Sequence, residues 1–162
     1  AELDSVRNYF KIIRVRYENK MTLEIDVPEN LLNLEVPQLI LQPIVENSVK
    51  YGLRPKEEGN GVVAIQGEIR EEFLELTIMD NGVGMSAEKL EYIQNLLEHS
   101  ESDKKNSDME SSGIGLKNVC DRIKMIFGEE YRIEINSFEN IGTIVKYRLP
   151  VVKEKEREEI HV

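Results

Sequence analysis

Three short stretches of this 162-residue chain bring polar side chains and glycines to spacings that could do chemistry. The first is Ile44-Val45-Glu46-Asn47-Ser48-Val49-Lys50-Tyr51. At about 100° per residue, Ile44, Val45, Ser48 and Val49 share one face of a helix, and Glu46, Asn47, Lys50 and Tyr51 share the other. That second face presents a carboxylate, an amide oxygen, an ammonium and a phenol. A plain amphipathic helix reads the same way, with Glu46 and Lys50 as an i,i+4 ion pair worth roughly 0.2–0.5 kcal/mol. The second stretch, Asp80-Asn81-Gly82-Val83-Gly84-Met85, directly follows a strand pattern. Its glycines let the backbone approach a ligand closely, and an acidic residue at a strand end can accept hydrogen bonds from an amino group. Asp-Asn-Gly is also ordinary turn chemistry. The third, Ser112-Gly113-Ile114-Gly115-Leu116, stands before a helical pattern. Glycines opening a helix leave its first N–H groups facing an anion, which the helix dipole favours. A hinge ahead of a helix is the plainer alternative. Neither a P-loop nor a dinucleotide fingerprint fits.

The elements that must hold these stretches follow from apolar periodicity. Leu3, Val6, Phe10, Ile13 and Tyr17 form a heptad-like helical seam, which packs either on its own domain or on a second chain. Thr22 to Val27 alternates as a strand, and Pro43 starts or kinks the helix that bears Glu46. Val62–Ile69 and Leu74–Asp80 read as a hairpin around Arg70-Glu71-Glu72. Leu90, Ile93, Leu96 and Leu97 mark a helix over Ala87–His99. Ser100–Ser112, without aliphatic residues except Met109, reads as mobile. Leu116, Val119, Cys120, Ile123, Ile126 and Phe127 form the next helical stripe, with Gly128 placed as its C-terminal cap. Arg132–Asn136 and Thr143–Leu149 are a last strand pair, and Lys153–Glu159 is a charge run read as a solvated tail. Strands outnumber crossover helices. The expected architecture is therefore an α/β (α+β two-layer) sandwich, a mixed sheet with helices on one face.

Composition narrows the possibilities. With 21 Lys+Arg against 31 Asp+Glu the formal net charge is −10, against any nucleic-acid partner bound through bulk charge. It also weighs, at first sight, against a phosphate-rich ligand. No run approaches the roughly 20 apolar residues of a membrane span, and no signal-peptide pattern is present. One cysteine, Cys120, excludes an internal disulfide, and a count of two histidines, His99 and His161, argues against a multi-histidine zinc site. A reducing, cytoplasmic setting is expected. The chain opens inside a helical pattern, as a fragment of a longer protein would.

Taken together, Glu46-Asn47-x-x-Lys50-Tyr51-Gly52, Asp80-x-Gly82-x-Gly84, Gly113-x-Gly115-Leu116 and Gly142-Thr143 resemble the N, G1, G2 and closing Gly-Thr boxes of the GHKL (Bergerat-fold) ATP-binding superfamily. The flanking Val36-Pro37-Gln38-Leu39-Ile40-Leu41-Gln42-Pro43 and Lys117-Asn118-Val119 are similar to sensor histidine kinases of the autolysin-sensor (Lyt) type. Tyr9-Phe10 and Arg14-Val15-Arg16-Tyr17 resemble the second helix of that family's dimerisation region.

The resemblance implies a division into residues 1–20 as the end of that dimerisation helix, 21–152 as the ATP-binding catalytic domain and 153–162 as a charged tail. It implies ATP and Mg²⁺ as ligands. Asn47 would give an oxygen to Mg²⁺, Glu46 would orient or activate the attacking group, and Lys50 would contact phosphate. Tyr51, Asp80, Gly82, Gly84, Met85 and Thr143 would surround the nucleoside, with Asp80 accepting from the adenine amino group. Gly113, Ile114, Gly115 and Leu116 would hold the phosphates, beneath a lid formed by Ala87–Ser112. The γ-phosphoryl group would pass to a histidine on an upstream segment, since the family's Pro-His-Phe word is absent here, and Tyr51-Gly52 stands where relatives often have His-Gly. Implied partners are that segment, a response regulator and a second copy in the full-length protein, a membrane-anchored receptor. A protein serine kinase of the anti-sigma-factor type and a non-catalytic nucleotide-binding module are the alternatives.

Overall fold

The computed structural model describes residues 1–99 and 107–151, and for 107–112 the backbone only. The charged tail 153–162, with His161, and the 100–106 part of the expected mobile segment lie outside the described residues. In chain order the elements are α1 (Glu2–Arg16), β1 (Met21–Asp26), α2 (Gln42–Asn47, continued by a π-helical turn Ser48–Leu53), β2 (Gly61–Arg70) and β3 (Phe73–Asp80). Then come α3 (Ala87–Glu98), α4 (Ser107–Phe127), β4 (Ile133–Phe138) and β5 (Gly142–Pro150).

The strands form one five-stranded sheet in the order β1-β2-β3-β5-β4. β1 runs parallel to β2 and every other pair is antiparallel, so the sheet is mixed as expected. Period-2 alternation sends Val63, Ile65, Leu76, Ile78, Val145 and Tyr147 to one buried face. There they meet Ile40, Ile44, Val45 and Val49 from α2 and its approach, Ile93 from α3, and Val119 and Ile123 from α4. The other face is polar. Glu68 pairs across with Glu75, a like-charge juxtaposition offset by Lys146 at 3.2 Å and Arg148 at 3.3 Å from the buried Glu75 carboxylate.

Of the two readings of the α1 seam, packing on its own domain is the one found for Val6, Phe10 and Ile13, which are buried in the common core. Leu3, Tyr9 and Tyr17 pack against it half-buried. Pro43 lies in the first turn of α2, where its missing N–H costs nothing. Gly128, at φ 116°, closes α4 with its N–H on the Lys124 carbonyl at 2.8 Å.

Three expectations need correction. α4 starts at Ser107, so Gly113, Ile114, Gly115 and Leu116 lie inside the helix rather than at its mouth, and 107–112 is helical rather than loop. Glycine weakens a helix interior by about 0.5–1 kcal/mol, too little to stop a helix whose apolar stripe is buried on both sides of the next turns. Ile126 belongs to that periodic stripe yet is 52% exposed, because it lies at the edge of the face that buries Leu116, Cys120 and Ile123 and packs Phe127 on the core. Asn47 and Tyr51 are half-buried rather than on a fully solvated stripe, because α4 and the β3 end close over them.

Candidate functional site

The site grows from the end of β3. Asp80 carries its carboxylate into a cavity of about 50 Å³ lined also by Asn47, Ser48, Tyr51, Gly52 and Thr143. Gly82 N–H donates to Asp80 Oδ1 at 2.9 Å, the turn chemistry read from Asp-Asn-Gly. The rest of the turn is tied from three directions. Asn81 Oδ1 accepts from Val62 N–H at 2.7 Å, Val83 N–H donates to the Gly52 carbonyl at 3.0 Å, and Met85 N–H donates to Ser137 Oγ at 2.9 Å. Ser137 also shares a 2.8 Å hydrogen bond with Thr143, which joins β4 and β5 to the site.

Close approach, not flexibility, is what the glycines supply. A Cβ on Gly52 would stand 2.9 Å from Asp80 Oδ1, so only glycine leaves that carboxylate its space. A Cβ on Gly82 would lie 2.3 Å from the Gly52 carbonyl carbon. Burial pushes the Asp80 carboxyl above the ordinary aspartate range, partly offset by hydrogen bonds from Gly82 N–H, Ser48 and Thr143 N–H and by the Lys56 charge.

That shift has a consequence for stability. An acid whose folded pKa is raised stabilises the fold at pH values below its unfolded pKa, and this contribution is lost as pH rises through the folded value. Asp80→Asn keeps the shape and removes the buried charge. Thermal unfolding at pH 7 is expected to move upward, and the gain is expected to vanish under acid.

Helix α2 forms the opposite wall. Its buried face is Ile44, Val45, Ser48 and Val49, and Glu46 and Lys50 are exposed, the split expected from helical spacing. Glu46 accepts from Gln42 Nε2 at 2.9 Å, and Lys50 Nζ stands 5.0 Å from the centre of the Tyr51 ring. Burial and the neighbouring Glu46 carboxylate push the Tyr9 phenol of α1 up to about 12. The π turn, in which Arg54 N–H bonds the Val49 carbonyl at 2.9 Å, is a device common at functional sites.

Asn47 is the most unusual group here. Its Nδ2 is buried without a hydrogen-bond partner among the described residues. It faces α4, where a Cβ on Gly115 would come within 3.0 Å of that atom. A buried amide N–H group left unpaired costs about 1–3 kcal/mol, and Asn47 also lines the cavity that holds Asp80. Its oxygen is the donor type that a hard divalent cation takes. Among the described residues there is no cluster of three or more His, Cys, Asp or Glu able to hold a metal by itself. A cation here would take one amide oxygen from Asn47 and its remaining donors from a ligand and water.

The cavity thus gathers Asn47, Tyr51, Asp80, Gly84, Met85, Leu116 and Thr143 from distant stretches. Gly82 lies behind Asp80, Lys50 against Tyr51, and Gly115 against Asn47. Glu46 and Ile114 are exposed, and Gly113 is instead the point where α4 touches Leu96 of α3, 2.7 Å from its would-be Cβ. Sequence reasoning missed Lys89, which lines the cavity and stands 5.8 Å from the Tyr51 ring. Its signal was a cation in the first turn of α3, where the helix dipole disfavours one. Ser48 and Gly52, four apart and both facing Asp80, were a second missed signal.

Comparison with known proteins places this geometry. The family model of histidine kinase-, DNA gyrase B- and HSP90-like ATPases matches residues 34–153. Sensor histidine kinase YesM of Bacillus subtilis is 31% identical over 149 residues, covering 92% of this chain and 23% of that protein. Sensor protein kinase HptS of Staphylococcus aureus is 26% identical over 150 residues, covering 93% of this chain and 27% of that one. The chain therefore spans about a quarter of the length of these relatives. Among solved structures, a mycobacterial sensor histidine kinase, MprB, superposes with a TM-score of 0.59 at 13% identity, covering 93% of this chain and 96% of that one. The catalytic domain of histidine kinase ThkA does so at 0.57 and 14%, covering 93% of each. These likenesses show the fold, and the match over residues 34–153 shows that the chain belongs to the histidine kinase-, DNA gyrase B- and HSP90-like ATPase family.

Proposed function

We propose that this chain is the catalytic domain of a sensor histidine kinase of the autolysin-sensor type, which binds Mg·ATP and passes the γ-phosphoryl group to a histidine on a segment outside this chain. The observation that carries the reading is that Asn47, whose Nδ2 is buried without a partner among the described residues, and the Asp80 carboxylate line one cavity. Asp80 accepts from the adenine amino group, with Gly82 and Gly84 allowing close approach and Thr143 and Met85 beside them. Tyr51 and Lys89 border the nucleoside, and Lys50 meets the phosphates. Asn47 Oδ1 would hold Mg²⁺, which when bound neutralises phosphate charge. Glu46, exposed on the same helix, orients the attacking group. The N–H groups of Gly113 and Gly115 reach phosphate when the first turns of α4 unwind, and these two glycines lower the cost of that unwinding.

The wider organisation belongs to the same reading: residues 1–20 as the end of a dimerisation helix, a homodimeric membrane-anchored receptor, a response regulator as the next acceptor, and no nucleic-acid partner. The test is to incubate the chain with γ-labelled ATP and a fragment bearing a dimerisation-region histidine. An acid-labile phosphoprotein is expected. Label stable to acid on a serine substrate, with none on the fragment, would instead identify a serine kinase of the anti-sigma-factor type.

A further inference from the structure

α2 begins without a side-chain cap of its own: the cap position is Leu41, whose side chain can accept nothing. The first N–H groups at a helix start need acceptors from somewhere. One of them, Leu41 N–H, and the two N–H groups ahead of it meet Glu2, on the first turn of α1. Its carboxylate accepts from Leu39 N–H at 2.7 Å, Ile40 N–H at 3.2 Å and Leu41 N–H at 3.1 Å. Bonds to an ionised acceptor are stronger than neutral ones, and a negative charge suits a helix N-terminus.

The same turn is held from the other side. Arg122 of α4 donates from one nitrogen to the carbonyls of Gln38 at 3.0 Å and Leu39 at 2.9 Å. Leu39, between the two charges, has φ 59°, a left-handed conformation that costs an L residue about 1–2 kcal/mol. Its side chain is 51% exposed, so packing does not hold it there. The flanking carboxylate and guanidinium do.

Arg122 stands seven residues after Gly115, two turns along the same face of α4. α4 therefore grips α2 twice, at its start through Arg122 and at Asn47 through Gly115. We infer that Glu2 and Arg122 are paired positioning residues: by fixing the Gln38–Leu41 turn they set the pose of Asn47, so that a displacement of α1 reaches the metal side of the nucleotide site. This rests on the nucleotide role proposed above for Asn47.

The test uses the whole chain and two probes, a non-hydrolysable ATP analogue with Mg²⁺ and adenosine alone, titrated calorimetrically. Glu2→Gln and Arg122→Met are each expected to weaken the Mg-dependent analogue by roughly three- to thirtyfold. Adenosine, which engages Asp80 and needs no metal, is expected to bind them as it binds the parent. Adding Leu39→Gly to Glu2→Gln is expected to restore part of the loss, since glycine takes a positive φ unaided. If Glu2→Gln does not fold, Arg122→Met carries the same test from α4. Folded variants that bind the Mg·analogue as the parent does, or that lose adenosine to the same degree, would overturn the inference and leave the reading of the site intact. A parent that binds neither probe would overturn both.

Discussion

Asn47→Ala is expected to lower affinity for a Mg²⁺-loaded ATP analogue by at least roughly ten- to a hundredfold, the loss that follows even when groups supporting a metal ligand are removed. The same substitution is expected to leave thermal stability unchanged or raise it. The affinity half comes from the Oδ1 proposed above as the Mg²⁺ ligand, and the stability half from the buried Nδ2 without a partner among the described residues. A group serving the fold would be hydrogen-bonded, and its removal would expose an unpaired neighbour. Asn47 has no such bond at Nδ2 to break, so alanine trades a small cavity for relief of an unsatisfied amide worth about 1–3 kcal/mol. Calorimetric titration and a melting curve on one preparation check the two halves together. A variant that loses stability and affinity in step would make Asn47 structural.

Gly84→Ala is expected to cost about 4 kcal/mol or more, in the range reserved for named steric or strain mechanisms. Gly84 sits at φ 65°, and its added Cβ would lie 2.0 Å from the Phe138 carbonyl oxygen, a backbone atom that cannot rotate away. Relief requires parting the β3 end from the β4–β5 turn. That would break the Asn140 N–H bond to the Val83 carbonyl at 2.7 Å and the Met85 N–H bond to Ser137. At about 2–4 °C per kcal/mol for a chain of this size, the melting point should fall by roughly 8–16 °C, with nucleotide affinity lost alongside. Gly59→Ala is the control. It too has a positive φ, 81°, but its Cβ would meet only the end of the Lys56 side chain at 3.7 Å. It should lose only the left-handed penalty, about 1–2 kcal/mol.

Period and turn chemistry made much of this legible before any coordinates. Strict alternation in Thr22–Val27 marks a half-buried strand, because a residue's neighbours on a sheet face are set by parity alone. The two faces of α2 were readable for the same reason at helical spacing. What escaped depends on contacts between segments far apart in the chain. Where α4 begins is one such case: Gly113 and Gly115 look like a helix start locally, and only the packing of Gly113 on Leu96 and Gly115 on Asn47 shows them as approach points in an interior. The unpaired state of Asn47, the place of Lys89 on the cavity wall and the hold of Glu2 on Leu39 are likewise properties of pairs, invisible in either partner's local sequence. The charge of −10 is reconciled too. On the proposed reading phosphate is met locally, by Lys50, backbone N–H groups and a cation, and long-range charge has little bearing there.

The central claim is that the cavity between Asp80 and Asn47 binds a nucleotide with its metal. Thermal-shift titration of the chain with a non-hydrolysable ATP analogue, with and without Mg²⁺, tests it most directly. Stabilisation should grow as RT ln(1 + [L]/Kd), about 2.7 kcal/mol at a hundred times Kd, larger with Mg²⁺ than without and with the metal-dependent part missing in Asn47→Ala. A melting point unmoved by millimolar analogue and Mg²⁺ would contradict the account.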